Sequence, residues 1–487
     1  MYNPSAQQVS IGNWFSSGKG NLTVRARAGT GKTTTIIECI KGAPEKKILL
    51  AAFNKEIAEE LKSRVTDPRV KAQTLHSLGN WFVFKNWGKT TIDDKRGLRI
   101  AEKAIGIKVD ATVIKTVAEL VSKAKNIEPF ATKDQLVTLA QTFGIVAPDD
   151  GTSDSWTSRD IAGAAHVALQ LASERDGTID FDDMLYLPVR NKWIFPLYDL
   201  VVIDEAQDMC PVQLSLAMKV CKKKGRIAVV GDDKQAIYGF RGADSGALDR
   251  LKHELKAQEL GLTTTYRCGK QIVAKAAELV PDFQAAPTAH EGIVDSTNAS
   301  KIAELAQATD FVLSRTNAPL ITICLRILSQ GRPAFIRGRD IGATLANIVK
   351  KTETDTVVEF LAALELWRRN RMDKLAAEDA PDSAFETVED QVLTLKALCD
   401  GLVKTSEVIT RIASLFQNDG NNKAVMLSTV HRAKGLEADR VFIIADTLYL
   451  YGKKQGDEEE KNIHYVAVTR ARKHLTFATG KVNPTNE

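Results

Sequence analysis

Ala26-Arg27-Ala28-Gly29-Thr30-Gly31-Lys32-Thr33 follows an alternating apolar run, Leu22 to Ala26, and opens a helical pattern from Thr33 to Ile40. Small residues at this spacing let successive backbone N–H groups close around phosphate oxygens. Lys32 reaches the β/γ-phosphates, and Thr33 offers a hydroxyl to Mg²⁺. An ordinary glycine-rich turn is the bland alternative, and the strand before and helix after argue against it. Farther on, the apolar run Val201-Val202-Ile203 ends in Asp204-Glu205. Two acids at a strand end suit Asp204 for the metal and Glu205 for orienting or deprotonating an attacking water. Together the two segments predict hydrolysis of ATP with Mg²⁺. Ala28, Gly29, Thr30, Gly31, Lys32, Thr33 and Thr34 would line the phosphates.

Such a loop needs a parallel sheet to hold it. Apolar runs at residues 48–53, 200–203 and 227–230 each give way to polar or glycine-rich residues and then to helical pattern. Residues 85–178 are helical in texture, with Ile114, Val117, Leu120, Val121 and Ala124 on one face. The second half repeats the theme, with strand candidates at 311–314, 334–336, 425–427, 441–444 and 475–478. Between them, residues 346–422 read as helical, with Val357, Phe360, Leu361, Leu364 and Trp367 on one face. The expected fold class is α/β with two parallel-sheet P-loop domains. The first covers 1–84 and 179–258 around a helical insertion at 85–178. The second covers 259–345 and 423–487 around a reduced helical insertion at 346–422. The Lys222-Lys223-Lys224 run reads as a solvated helix end.

The chain has 487 residues, 44% hydrophobic and 26% charged, which excludes gross disorder and collagen-like repeats. No run approaches the length of a membrane span, and MYNPSAQQVS lacks the pattern of a secretory signal. Six cysteines without a CxxC pair argue against a disulfide framework or a zinc ribbon, so a reducing, cytoplasmic location without membrane contact is expected. The net charge of +5 is too mild to establish a polyanionic partner by itself. Its distribution says more: residues 346–422 carry 9 basic and 14 acidic side chains, whereas residues 85–125 carry 10 basic and 5 acidic. A polyanion would prefer the body of the protein to the 346–422 stretch.

Beyond the two ATP motifs, the chain resembles the UvrD/Rep family of superfamily 1 DNA helicases over almost its whole length and in that family's motif order. The resemblance is carried by Gln7 (or the adjacent Gln8), Ala52-Phe53-Asn54-Lys55, Thr74-Leu75-His76-Ser77 and Phe181-Asp182-Asp183-Met184-Leu185. It continues through Gly231-Asp232-Asp233-Lys234-Gln235-Ala236-Ile237-Tyr238-Gly239-Phe240-Arg241-Gly242-Ala243, Tyr266-Arg267 and Ser314-Arg315-Thr316-Asn317-Ala318. The segments from Ser428 to Glu437 and from Tyr465 to Ala471 complete the set.

The resemblance implies two RecA-like domains and a division of labour among these residues. Gln7 would read adenine, Tyr266 would stack on it, and Glu437 would contact the ribose. Gln235, Arg267 and Arg470 would face the γ-phosphate, where an inserted arginine contributes about 10³–10⁵ in rate. Lys32, Asp204 and Glu205 complete the catalytic group. Phe53, Tyr238 and Phe240 would stack on bases, with Asn54, His76, Arg315, Asn317 and His431 as further strand contacts. Phe240 stands where a tryptophan is common in the family, leaving a smaller stacking face. Both insertions are shorter than is usual there, as is Gly452–Glu460, and no nuclease segment is expected after Arg470.

The implied activity is that of an ATP-dependent translocase and helicase on single-stranded and tailed duplex DNA. It would run 3′-to-5′ and act in replication, repair or recombination. A DNA-stimulated ATPase that strips proteins from nucleic acid with little unwinding is the alternative. A motor-dead binding module is disfavoured by the intact catalytic set, and an RNA substrate stays open because no feature visible in the sequence reads the 2′-OH.

Overall fold

The structure is a computed structural model that describes residues 4–147, 156–239, 246–377, 380–417, 423–448 and 458–482. The chain divides into two compact units. One comprises the chain through Arg27 and from Gly31 to Leu262. The other runs from Thr263 to Ala377 and from Asp382 onward, and includes Ala28–Thr30.

The first unit is built on six parallel strands: β1 (Leu22–Ala26), β2 (Ile48–Ala52), β3 (Val70–Thr74), β6 (Tyr198–Ile203), β7 (Cys221–Gly231) and β8 (Gln258–Leu262). A two-residue pair, β4 (Thr91–Ile92) with β5 (Thr178–Ile179), lies outside this sheet. The sheet order is β3-β2-β6-β7-β1-β8. Arg25 pairs with Gly231 and Ile203 with Val229, so the segments after β1, β6 and β7 leave the same edge. That carboxyl edge is where parallel sheets bind ligands. Helices α1 (Ala6–Ser17), α2 (Lys32–Ile40) and α3 (Lys55–Arg64) surround these strands in sequence. Ile11, Phe15, Ile36 and Ile40 share a core with Leu22, Ile48 and Leu200.

A helical layer follows, made of α4 (Leu75–Trp87), α5 (Arg96–Ile105), α6 (Ala111–Ile127), α7 (Lys133–Thr142), α8 (Ser158–Ala172) and α9 (Asp183–Arg190). Val117, Leu120, Leu136, Ile161 and Leu169 pack into one buried cluster, as the 3.6-residue spacing on α6 demands. The first unit's last helices are α10 (Pro211–Lys219) and α11 (Ala247–Glu254). Lys222, Lys223 and Lys224 are exposed, but they lie at the start of β7 rather than on a helix end. The apolar part of β7 begins only at Ile227, which is why the run escaped a strand assignment.

The second unit opens with a short pair, β9 (Thr264–Thr265) and β10 (Gln284–Ala285), and the helix α12 (Lys270–Ala277). Its sheet has seven strands: β11 (Ile293–Asn298), β12 (Phe311–Ser314), β13 (Ala334–Arg337), β14 (Phe416–Gln417), β15 (Val425–Thr429), β16 (Ala438–Ile444) and β17 (Ala471–Thr479). All pairs are parallel, in the order β11-β17-β16-β12-β15-β13-β14. The helices are α13 (Ile302–Leu305), α14 (Ala318–Ser329), α15 (Arg339–Lys351), α16 (Val357–Ala377), α17 (Asp382–Cys399), α18 (Thr405–Leu415), α19 (Val430–Ala433) and α20 (Glu458–Val468).

Residues 346–422, read from the sequence as a reduced helical insertion, pack into the core of this unit. Phe360, Leu364, Leu395, Val408 and Ile412 of α16–α18 lie in the same buried cluster as Val312, Ile336, Leu427 and Phe442 of the sheet. Phe416 and Gln417 extend that sheet beside β13. These helices are part of the second unit's core. Among the described residues, no helix is long and apolar enough to cross a membrane. All six cysteines are free.

Candidate functional site

The turn after β1 is shaped by backbone conformation. Gly29 and Gly31 have φ of 67° and 78°, the left-handed region that side chains with a Cβ rarely adopt. Gly31 then caps α2, directing the helix's first N–H groups toward the turn. Lys32 follows at once, and its Nζ lies 2.9 and 3.0 Å from the two carboxylate oxygens of Glu205. Burial alone would lower the Lys32 pKa, but Glu205, Asp232 and Asp204 outweigh it and raise it. Thr33 Oγ1 lies 3.5 Å from Asp204 Oδ2.

Asp204 is buried at the end of β6, and its carboxyl is pushed up to about 7 by burial and by the neighbouring Glu205, against the pull of Lys32. Acidic charge is in excess at this point, and a divalent cation beside Thr33 and Asp204 would relieve it. Among the described residues no cluster of three or more His, Cys, Asp or Glu could hold a metal ion by protein ligands alone. A lone carboxylate and a hydroxyl fit Mg²⁺ delivered with nucleotide phosphates, since that ion binds through one or two carboxylates plus phosphate oxygens.

Glu205 has φ of 50°, unusual for a residue with a side chain. Its carboxylate accepts a hydrogen bond from Gln207 Nε2 at 2.6 Å, and Gln207 Oε1 accepts from the Asp232 N–H at 3.1 Å. Asp232 in turn accepts from Gln235 Nε2 at 2.7 Å and from Arg27 at 3.0 Å. A polar wire therefore runs Lys32, Glu205, Gln207, Asp232, Gln235 along the carboxyl edge. Sequence reasoning named the two ends and Glu205. It missed Arg27 and Asp232, which lie inside the quoted motifs, and Gln207, two residues beyond Glu205. On α1, Gln8 is committed: its Oε1 accepts from the Ser5 N–H and its Nε2 donates to Thr35 Oγ1, both at 2.9 Å. Gln7, the adenine-reading candidate, is half-buried one residue earlier.

The second unit gathers the expected arginines by itself. Arg470 is buried, and its guanidinium donates to the carbonyls of Val466 and Leu436 at 2.9 and 3.0 Å. Burial and the nearby Arg267 charge lower its pKa to about 10. Arg267 pairs with Glu437 at 2.5 Å and donates to the Thr469 carbonyl at 3.4 Å. Glu437 thus holds an arginine, a role its proposed ribose contact did not include. Tyr266 is 54% exposed.

The nucleic-acid candidates fall in two groups. In the first unit, a cavity of about 880 Å³ is lined by Phe53, Asn54 and His76, together with Phe181, Asp182 and Ser122. Asn54 caps α3 by accepting from the Ile57 N–H at 2.8 Å. His76 is held below its ordinary pKa by burial, partly offset by Asp182, so it is neutral at pH 7. Tyr238 is half-buried and is not among the residues lining this cavity, and Phe240 lies outside the described residues.

In the second unit, Arg315 donates to Glu460 at 2.9 and 3.0 Å. The Asn317 backbone N–H and Nδ2 donate to Asp390 of α17 at 2.9 and 2.7 Å. Asp390 comes from the stretch set aside as remote from the strand track. His431 is half-buried on α19. No signal in the sequence marked Asp390, because its partner lies 73 positions away.

Comparison with known proteins follows the same division. The family described as UvrD/REP helicase N-terminal domain matches residues 8–256, and the UvrD-like helicase C-terminal domain matches residues 341–481. F-box DNA helicase protein 1 of Schizosaccharomyces pombe is 26% identical over 93% of this chain and 55% of its own length. A probable DNA helicase II homolog of Mycoplasma genitalium is 23% identical over 95% and 83%. ATP-dependent DNA helicase UvrD2 of Mycobacterium tuberculosis is 24% identical over 94% and 76%. The chain thus spans little more than half the length of the first of these relatives.

Proposed function

The chain belongs to the UvrD/REP helicase family, and from that premise we propose that it is an ATP-driven motor on single-stranded DNA. It moves 3′-to-5′, opens tailed duplexes, and serves replication, repair or recombination. The observation that carries the reading is the polar wire from Lys32 to Gln235 on one sheet edge. It ties the phosphate-binding lysine and the water-activating acid to the segment that leads into the expected base-contacting residues.

In this mechanism the glycine turn and the α2 N-terminus hold the ATP phosphates by backbone N–H groups. Lys32 exchanges Glu205 for the β/γ-phosphates. That exchange releases the Glu205 carboxylate to orient and deprotonate the attacking water, with Gln207 fixing its position. Thr33 and Asp204 would hold Mg²⁺, which neutralises charge on the transferring phosphoryl group. Gln235, held in place by Asp232, would face the γ-phosphate. Arg267 and Arg470 would add positive charge in the transition state. Gln7 and Tyr266 select adenine, and Glu437 the ribose.

One observation favours the second reading, a protein-stripping ATPase with little unwinding. Helices α16–α18, which the sequence marks as a reduced helical insertion, are spent on the second unit's own core. Steady-state ATPase measured with ssDNA, duplex DNA and RNA, followed by unwinding of 3′- and 5′-tailed duplexes, tests both. Stimulation by ssDNA with unwinding of the 3′-tailed substrate alone supports the first reading. Stimulation without unwinding of either tail transfers support to the second. Failure of any nucleic acid to stimulate hydrolysis would end both.

A further inference from the structure

Asp182 is a carboxylate in the wall of the cavity that also holds Phe53 and His76. Its neighbour Asp183 points the other way and is explained by the fold, since Arg96 and Lys125 pair with it at 2.5 and 2.8 Å inside the helical layer. Asp182 has no such explanation. Among the described residues it forms no ion pair. Its two oxygens are instead each held by one neutral donor of α6, Ser122 Oγ at 2.5 Å and Asn126 Nδ2 at 2.9 Å. Each oxygen keeps a further lone-pair direction, and the orientation of the group is fixed from two sides.

A fixed, unpaired carboxylate repels phosphate, so a strand lying in this cavity must turn something other than its backbone toward Asp182. The remaining lining fits that division. Lys55 of α3 can serve a phosphate, Lys62 being paired with Glu59 at 2.9 Å, while the half-exposed ring of Phe181 adjoins Asp182 in the chain and offers a stacking face. A carboxylate only accepts hydrogen bonds. It therefore suits the exocyclic amino group of cytosine and opposes the carbonyl oxygen that thymine carries at the same position.

We propose that Asp182, oriented by Ser122 and Asn126, is a base-reading residue that makes this cavity prefer cytosine to thymine in a single strand. The inference rests on the reading of the cavity as a strand track and adds a specificity to it. The test is equilibrium binding of the full chain to oligo(dC) and oligo(dT) of equal length, which present one base in every register. The wild-type protein is expected to bind oligo(dC) about tenfold more tightly. In Asp182→Asn the two should fall within about twofold of each other, chiefly by a gain on oligo(dT), because the amide can donate to the thymine carbonyl.

Ser122→Ala, which frees the carboxylate to rotate at little cost to folding, should shrink the preference without any gain on oligo(dT). Equal affinity of the wild-type protein for both oligomers overturns the inference and leaves the strand track standing. A uniform gain on both in Asp182→Asn also overturns it, because Asp182 would then be a repulsive charge alone. If the wild-type protein binds neither oligomer, the strand track itself fails and the inference with it. The wild-type comparison needs no variant, so a substitution that does not fold leaves the proposal exposed to refutation.

Discussion

Glu205 pairs a strained backbone with a shared proton-accepting side chain. A non-glycine residue in the left-handed region costs of order 1–3 kcal/mol, and such strain persists where surrounding contacts over-determine it. Here the Asp204 carboxylate accepts from the Glu205 N–H at 2.9 Å, and Gln207 and Lys32 hold the carboxylate. Glu205→Gln is therefore expected to leave ATP affinity within about twofold while lowering kcat by about 10²–10⁴, the usual range for loss of a general base. Separate measurement of nucleotide binding and turnover checks it, and near-normal turnover would remove Glu205 from the water-activating role. A second residue makes a prediction about pH. Burial and the Lys275 charge hold the His464 pKa down from 6.5 to about 4. The unfolded chain then takes up a proton below pH 6.5 that the native state refuses. The stability linked to His464 is thus fully present above that pH and is lost as pH falls toward 4. The difference is about 3 kcal/mol over the window. His464→Gln should lose stability less steeply than the wild type across the same range in denaturant titrations.

The helices of 346–422 show why an element can be visible in a sequence while its role is not. Periodicity identified Val357, Phe360 and Leu364 as one face of a helix, and all three are buried. What that face is buried against is a tertiary fact, and helical spacing is silent on it. Net acidity pointed only to a stretch that a polyanion would avoid. The shared cluster with β12, β13, β15 and β16 now predicts that replacing residues 350–420 by a Gly/Ser linker abolishes folding. A milder probe is Phe360→Ala, expected to cost about 3–5 kcal/mol because the ring is completely enclosed. A melting curve within about 2 °C of the wild type would return these helices to the status of an appendage. Strands with continuous apolar runs, such as β2 and β12, were legible with nearly correct ends, as was the phosphate turn, because strand, glycines and helix are contiguous. The polar wire was not, since Gln207 and Asp232 are 25 positions apart and neither carries a local pattern. Asp182 was quoted only as part of a motif; its contacts with Ser122 and Asn126, 60 and 56 positions away, are what give it a distinct chemistry.

Across the whole molecule, charge is distributed against the simple average. The chain carries +5, yet residues 346–422 sum to −5, so the remainder holds +10. Affinity for a single strand depends on which cations replace counterions, not on the total. Each phosphate neutralised contributes about −0.7 to the slope of log K against log salt. Lys55 stands at the cavity of the first unit, exposed at the start of α3. Asp373 and Asp400 are exposed on the acidic stretch of the second unit and are not among the residues that line that cavity. Lys55→Ala and the pair Asp373→Asn with Asp400→Asn alter net charge in opposite directions and so separate a local contact from a global field. Lys55→Ala is expected to weaken ssDNA binding and flatten the salt slope by about 0.7, one phosphate's share. The double asparagine variant raises net charge by two but should leave the slope unchanged, because slope counts contacts and not distant charge. Fluorescence anisotropy over a salt series reads both. If the double variant steepens the slope, or Lys55→Ala leaves it untouched, the strand does not follow the α3 side of this cavity.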